Sequence, residues 1–247
     1  MKILATYNIK GGVGKTASAV NLAYSAFKNY LRVLVWDVDP QGAATYYFRI
    51  NPRIAAGARK LIRKKKVIGN AIKATNYDGL DLLPADFSLR NLDIFLDREK
   101  KPDKRFRKLL EKVNDDYDLV ILDCPPSISL VSENVFYASD ALLIPTIPTH
   151  LSFRAYDQLK EFISKHGDIK ASLYPYLYMV DHRKTIHQQF VEKFLVLYPE
   201  GLKTQISNSS VVEKMGIYRA PVEVFDRSSP VSLEFNNLWN EIWQRIN

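Results

Sequence analysis

The sequence predicts an α/β fold, a doubly wound, mostly parallel sheet with helices on both faces. Three observations carry that expectation. Short apolar runs alternate with longer amphipathic ones along all 247 residues, two of those runs end in a carboxylate, and the first runs directly into a glycine-rich turn. Strand-like runs fall near 2–8, 31–36, 80–84, 117–123, 140–147, 173–180 and 202–206. Helical patterns fill 16–28, 88–98, 103–114, 130–138, 152–166, 186–198 and 230–246. Short apolar strands alternating with helices are what a parallel sheet covered on both sides requires. The stretch 48–75 has the least regular pattern and is expected to vary or move. No repeat, low-complexity tract or linker interrupts the chain, so residues 1–247 read as one domain with a sizeable core.

The first strand (Ile3, Leu4, Ala5, Tyr7) leads into Asn8-Ile9-Lys10-Gly11-Gly12-Val13-Gly14-Lys15-Thr16, and an apolar-periodic helix follows (Ala19, Val20, Leu22, Ala23, Ala26, Phe27). Strand, glycine turn and helix in that order make a phosphate-binding loop. Glycines let backbone N–H groups converge on anionic oxygens, and the helix N-terminus adds a favourable dipole. Lys15 can reach β/γ-phosphates and the Thr16 hydroxyl can ligate Mg²⁺. The usual first glycine would fall at Ile9, and an extra lysine stands at Lys10. The second strand, Leu31 to Trp36, ends in Asp37-Val38-Asp39-Pro40-Gln41-Gly42. Another, Tyr117 to Leu122, ends in Asp123-Cys124-Pro125-Pro126-Ser127. In a parallel sheet the strand C-termini share one edge, so both carboxylate-bearing ends flank the loop. There they can hold metal-bound water or orient an attacking water.

Lys10–Thr16, Asp37–Gly42 and Leu119–Ser127 resemble the deviant Walker A, Walker A′ and Walker B motifs of the ParA/MinD superfamily of P-loop ATPases, nearer its ParA/Soj branch. The likeness continues through Met179-Val180-Asp181-His182-Arg183-Lys184-Thr185 and an amphipathic C-terminal helix, and so covers essentially the whole chain. It implies ATP and Mg²⁺ as cofactors. It implies that Lys10 reaches across an ATP-sandwiched homodimer, that Lys15 holds phosphate, and that Asp39 positions the hydrolytic water beside the metal. Thr16 would bind Mg²⁺ directly and Asp123 through water. Nucleotide contacts would come from Lys10, Gly11, Gly12, Val13, Gly14, Lys15, Thr16, Ala17 and Pro125, with Asn208 the candidate for adenine. The implied activity is slow ATP hydrolysis, stimulated by a ParB-like or cargo-adaptor protein and coupled to non-specific DNA binding, in a cytoplasmic, nucleoid-associated setting in a prokaryote. Plasmid or chromosome segregation is the default cargo. Positioning of a protein assembly such as a carboxysome or chemotaxis array uses the same switch.

The formal net charge of +8 favours an anionic partner. Two basic sets compete for it: Arg59, Lys60, Arg63, Lys64, Lys65 and Lys66, and a C-terminal set of Arg183, Lys184, Lys214, Arg219 and Arg227. The resemblance favours the second for DNA, although this chain reads Ser207-Asn208-Ser209-Ser210-Val211 where many Soj-like proteins carry an arginine pair. No apolar run approaches the ~20 residues of a membrane span, and the first strand leaves no room for a secretory leader. The lone Cys124 excludes a disulfide framework and a cysteine-held iron–sulfur cluster, and fits a reducing compartment. The four histidines share no metal-ligand spacing. A MinD-like membrane regulator would need a basic flank beside the stripe Leu233, Phe235, Leu238, Trp239, Ile242, Trp243 and Ile246. Glu234 and Glu241 stand there instead, so that helix is expected to pack on the core. A carboxylate-activating ligase of the same superfamily is the other alternative, disfavoured by the whole-chain match and the basic charge.

Overall fold

The computed structural model describes residues 1–63, 67–99 and 101–247. The strands are β1 (Lys2–Thr6), β2 (Val33–Asp37), β3 (Lys73–Ala74), β4 (Leu80–Leu83), β5 (Leu119–Asp123), β6 (Ala141–Thr146), β7 (Ser172–Val180) and β8 (Ile206–Ser207). They form an eight-stranded sheet in the order β3-β4-β2-β5-β1-β6-β7-β8. Every neighbouring pair is parallel except β3 with β4. The helices are α1 (Lys15–Lys28), α2 (Ala43–Tyr47), α3 (Gly57–Arg63), α4 (Val67–Ala71), α5 (Leu92–Asp97), α6 (Arg105–Leu110), α7 (Leu130–Ala138), α8 (His150–Lys165), α9 (Thr185–Leu197), α10 (Ser210–Glu213), α11 (Met215–Tyr218), α12 (Val222–Phe225) and α13 (Pro230–Ile246).

Side chains alternate across the sheet. Ile3 and Ala5 of β1 point into a core closed by α3 to α9, where Leu61, Phe106, Phe136, Tyr156 and Phe190 are buried. Leu4 points the other way, into a core closed by α1, α12 and α13, where Ala19, Val222, Phe235 and Trp239 are buried. The sheet is therefore wound on both faces, as its strands, apolar on both sides, require. The C-terminal stripe goes into this second core. Leu238, Trp239 and Ile242 are buried, and Ser25 on α1 donates to Asn236 Oδ1 at 2.9 Å. Leu233 departs from the expected stripe and is exposed. Among the described residues, no helix is long and apolar enough to cross a membrane.

Helices α7 and α13 have the bounds the sequence predicts, but other segments differ. The strand expected over 202–206 shrinks to Ile206–Ser207, because the Glu241 carboxylate accepts the N–H groups of Lys203 (2.7 Å) and Thr204 (2.8 Å) that a ladder would use. The stretch 48–75 is more regular than expected. It holds α3, α4 and β3, and Ala58, Leu61, Ile62, Ile68 and Ala71 are its buried anchors. The short helices α2, α10, α11 and α12 lack the two full turns that make an apolar period readable.

Candidate nucleotide site

Register places the chemistry at one sheet edge. Thr6 of β1 and Asp37 of β2 both pair with Asp123 of β5, so three oxygen-bearing side chains stand abreast where the strands end. The loop after β1 is held from behind by Asn8. Its buried amide donates to the Pro145 carbonyl and its Oδ1 accepts the Lys10 N–H, each at 2.9 Å. Lys15 is buried and its Nζ donates to the Lys10 carbonyl at 2.9 Å. Burial pushes the Lys15 ammonium pKa down and the Asp123 charge pushes it back up. Gly11 and Gly12 are exposed at the loop tip. Gly14, at φ +92°, caps α1 without a side chain, and a Cβ there would fall 2.1 Å from the Tyr178 ring. The first turn of α1 carries no acidic residue. Its N–H groups and dipole are left for an anion.

The carboxylates make the second half of the site. Asp37 Oδ2 accepts from Thr45 N (2.8 Å) and Thr45 Oγ1 (2.7 Å), while Asp37 Oδ1 has no partner. Asp123 is fully buried, with Oδ1 3.5 Å from Thr6 Oγ1 and Oδ2 without a partner. Burial raises Asp37 to about 6 against the lowering bonds from Thr45. Burial, then the charge of Asp37, lifts Asp123 well above the carboxylate range, while the Thr16 hydroxyl and Lys15 pull it down. Two buried carboxylates with orphaned oxygens, beside a threonine hydroxyl, fit a hard divalent cation. Among the described residues no cluster of three or more His, Cys, Asp and Glu forms a metal cage. An ion here would depend on phosphate oxygens for the rest of its shell, which is how Mg²⁺ is commonly held. Asp39 is half-buried and its Oδ1 accepts the Gln41 N–H at 2.9 Å, opening the turn that starts α2. Cys124 is packed as a small apolar group, its thiol pKa pushed up by burial.

The other expected residues are distributed as follows. Ala17 lies half-buried in the first turn of α1, and Pro125 lies half-buried after β5. Asn208 is exposed, with its N–H on the Val180 carbonyl at 2.9 Å. Lys10 Nζ donates to Ser152 Oγ at the start of α8, at 3.3 Å. In the basic C-terminal set, Lys184 and Lys214 are exposed. Arg183 is clasped by Asp181 at 2.9 and 3.0 Å, which holds that carboxyl down at about 2. Arg219 is fastened to α2. Its Nε donates to the Tyr46 carbonyl (3.0 Å) and its guanidinium lies 4.4 Å from the Tyr46 ring centre, while Arg49 donates to the carbonyls of Tyr218 (2.8 Å) and Arg219 (3.3 Å). Arg227 stands 3.8 Å from Glu223. Arg59, Lys60 and Arg63 are exposed on α3, whereas Lys64, Lys65 and Lys66 lie outside the described residues.

Sequence reasoning missed Asn8, Thr45, Ser152 and Tyr178, and read Asp37 only as a strand-end carboxylate. Asn8 had a signal, as a polar residue where a buried strand meets the loop. The other three reach the site through tertiary packing.

Comparison with known proteins decides the family. The AAA domain family (AAA_31) matches residues 1–174. Sporulation initiation inhibitor protein Soj of Bacillus subtilis is 30% identical over 247 residues, covering 98% of each chain. The chain is a ParA/MinD-superfamily ATPase of the Soj/ParA type. Solved structures agree on the fold. A putative plasmid partition protein from Borrelia burgdorferi bound to AMPPNP has a TM-score of 0.86 at 23% identity, with 99% of both chains covered. Cobyrinic acid a,c-diamide synthase from Mycobacterium smegmatis, with an ATP analogue and magnesium, has a TM-score of 0.84 at 22% identity, covering 99% of this chain and 95% of that one. A Soj/ParA-type chain and a synthase thus share one architecture, and the sequence match separates them.

Proposed function

We propose that this chain is an ATP- and Mg²⁺-dependent switch that partitions a plasmid or chromosome, dimerising around ATP and holding DNA without regard to sequence. The observation that carries the reading is the meeting of Lys15 and the glycine loop with the orphaned oxygens of Asp37 and Asp123 at one sheet edge. In this reading the backbone of Gly11 to Thr16 with Ala17 cradles phosphate, Lys15 neutralises its charge, and Pro125 and Asn208 complete the nucleotide contacts. Bound Mg²⁺ would screen the β/γ-phosphate charge. Thr16 would ligate the ion, Asp123 would hold a water of its shell, and Asp37 would add negative charge behind it. Asp39, at the mouth of the turn before α2, orients the attacking water. Lys10, half-buried beside the exposed loop tip and tethered by one 3.3 Å bond to Ser152, exchanges that bond for the partner subunit's phosphates.

Non-specific DNA contacts through Arg183, Lys184, Lys214 and Arg219, a partner that stimulates hydrolysis, and cytoplasmic action on a nucleoid complete the proposal. Light scattering tests it. Asp39→Ala with ATP and Mg²⁺ should remain dimeric, while wild type returns to monomer as ATP is spent. A monomer under all conditions, or hydrolysis strictly linear in enzyme concentration, would remove the sandwich. A synthase-like activity is the second reading, since the M. smegmatis enzyme shares the fold. Basal ATPase that requires no metabolite counts against it.

A further inference from the structure

Three concavities lie on or near α3. One, of about 220 Å³, is lined by Arg59, Arg63 and Arg98 together with Glu99. A second, of about 320 Å³, holds Lys60 beside Ala55 and Ala56. The third, of about 610 Å³, shares Ala55 with the second and adds Arg53 and Lys73. Lys60 follows Arg59 on α3 but points to another side of the helix, so the first concavity has a lining of its own. Six cations line them and all six are exposed. The one carboxylate of the lining, Glu99, is taken by Arg105 at 3.2 Å and Arg63 at 3.5 Å. Arg59 and Arg98 have no ion pair among the described residues.

Such a surface repels itself until an anion settles on it. Guanidinium forks match phosphate oxygens two by two. Ala55 and Ala56, beside Lys60, leave a polymer backbone room to approach there. Lys184 and Lys214 of the C-terminal set are exposed, but its three arginines are placed differently. Arg183 would have to surrender Asp181, Arg219 is spent on Tyr46, and Arg227 faces Glu223.

We propose that the α3 surface, anchored on Arg59 and Arg98, is the chain's principal grip on the phosphate backbone of duplex DNA. This rests on the DNA-binding reading above and moves its main contact to another face. The test uses the full chain with ATP and Mg²⁺ and two labelled duplexes of unrelated sequence, titrated across roughly 50–200 mM salt. The pair Arg59→Glu with Arg98→Glu, and the milder pair Arg59→Gln with Arg98→Gln, are compared with Arg183→Glu. Each lost phosphate contact flattens the slope of log K against log salt by about 0.9. Losing two per subunit should therefore flatten a dimer's slope by roughly 3–4, and weaken binding at least tenfold on both duplexes. Thermal midpoint and basal ATPase should stay at wild-type values, and Arg183→Glu should change the slope by less than one contact. If wild type binds both duplexes and the α3 pairs keep its slope, the inference is overturned while the DNA reading stands. If wild type binds neither duplex, the DNA reading falls and this surface with it. Capture of phosphatidylserine vesicles in place of DNA would assign the patch to lipid and overturn the proposal equally.

Discussion

Replacing Asp37 with Asn should stabilise the chain in the absence of nucleotide and metal. Both oxygens of Asp37 are buried. One accepts two bonds from Thr45, and the other has no partner and stands in the field of Asp123 and Asp39. An amide keeps a carbonyl for the Thr45 donors and removes the charge. The sign follows from proton binding. An Asp raised from 3.8 to about 6 on folding leaves the folded chain holding a proton that the unfolded chain has shed, so stability falls as pH rises through that window. The full rise corresponds to about 3 kcal/mol at neutral pH, and at about 2–4 °C per kcal/mol to a midpoint gain of up to roughly 10 °C. The assay is thermal and urea unfolding from pH 4.5 to 8 in chelator. Wild type should lose stability between about pH 4 and 6 through this group, and Asp37→Asn should be flatter and higher at neutral pH. An Asn variant less stable than wild type at pH 7.5, or with a parallel pH profile, would refute the claim that this charge strains the empty site. Added Mg²⁺ with ADP should stabilise wild type more than the variant, reversing their order as the ion uses the charge.

Three other outcomes follow from the same geometry. Lys15→Ala should abolish ATP binding in a fluorescent-nucleotide titration, because no other ammonium is buried in the loop; normal affinity would end the phosphate-loop assignment. Thr45→Val should cost about 2–4 kcal/mol in urea unfolding, since it strips a bond from Asp37 and orphans the Ala85 N–H that donates to Thr45 Oγ1 at 2.8 Å; a loss below 1 kcal/mol would mean that water replaces the hydroxyl. Gly14→Ala should lose about 2–5 kcal/mol, from left-handed backbone strain and collision with the Tyr178 ring, and Tyr178→Ala should recover part of it in a double-mutant cycle; additive losses would show that the ring is not the obstacle.

Much of this was legible in the sequence because strands buried on both faces leave little freedom. Ile3 to Tyr7, Leu34 to Trp36 and Val120 to Leu122 had to be central, and a central parallel strand delivers whatever follows it to the ligand edge. Lys15, Thr16, Asp39 and Asp123 could be placed for that reason. The registry that sets Thr6 and Asp37 level with Asp123 was not legible, because it depends on pairing between segments some eighty residues or more apart. Nor was the fate of the basic residues. An arginine in a sequence carries a charge, but only the fold shows that Asp181 holds Arg183 while Arg59 stands clear. The breakdown of 202–206 was hidden in the same way, since Glu241 enters from a helix nearly forty residues later.

The fastening between α2 and α11 has a consequence for how this region tolerates change. Arg49 grips the carbonyls of residues 218 and 219, Arg219 grips that of residue 46, and the Tyr46 hydroxyl reaches the carbonyl of residue 216 at 3.2 Å. All four attachments end on main-chain oxygens, which every amino acid supplies. The exposed side chain at Ile217 can therefore drift without loosening the hold, while Tyr46, Arg49 and Arg219 cannot. The outer surface is thus open to variation while its mounting is fixed, so a new partner could be accommodated there without disturbing the turn that carries Asp39.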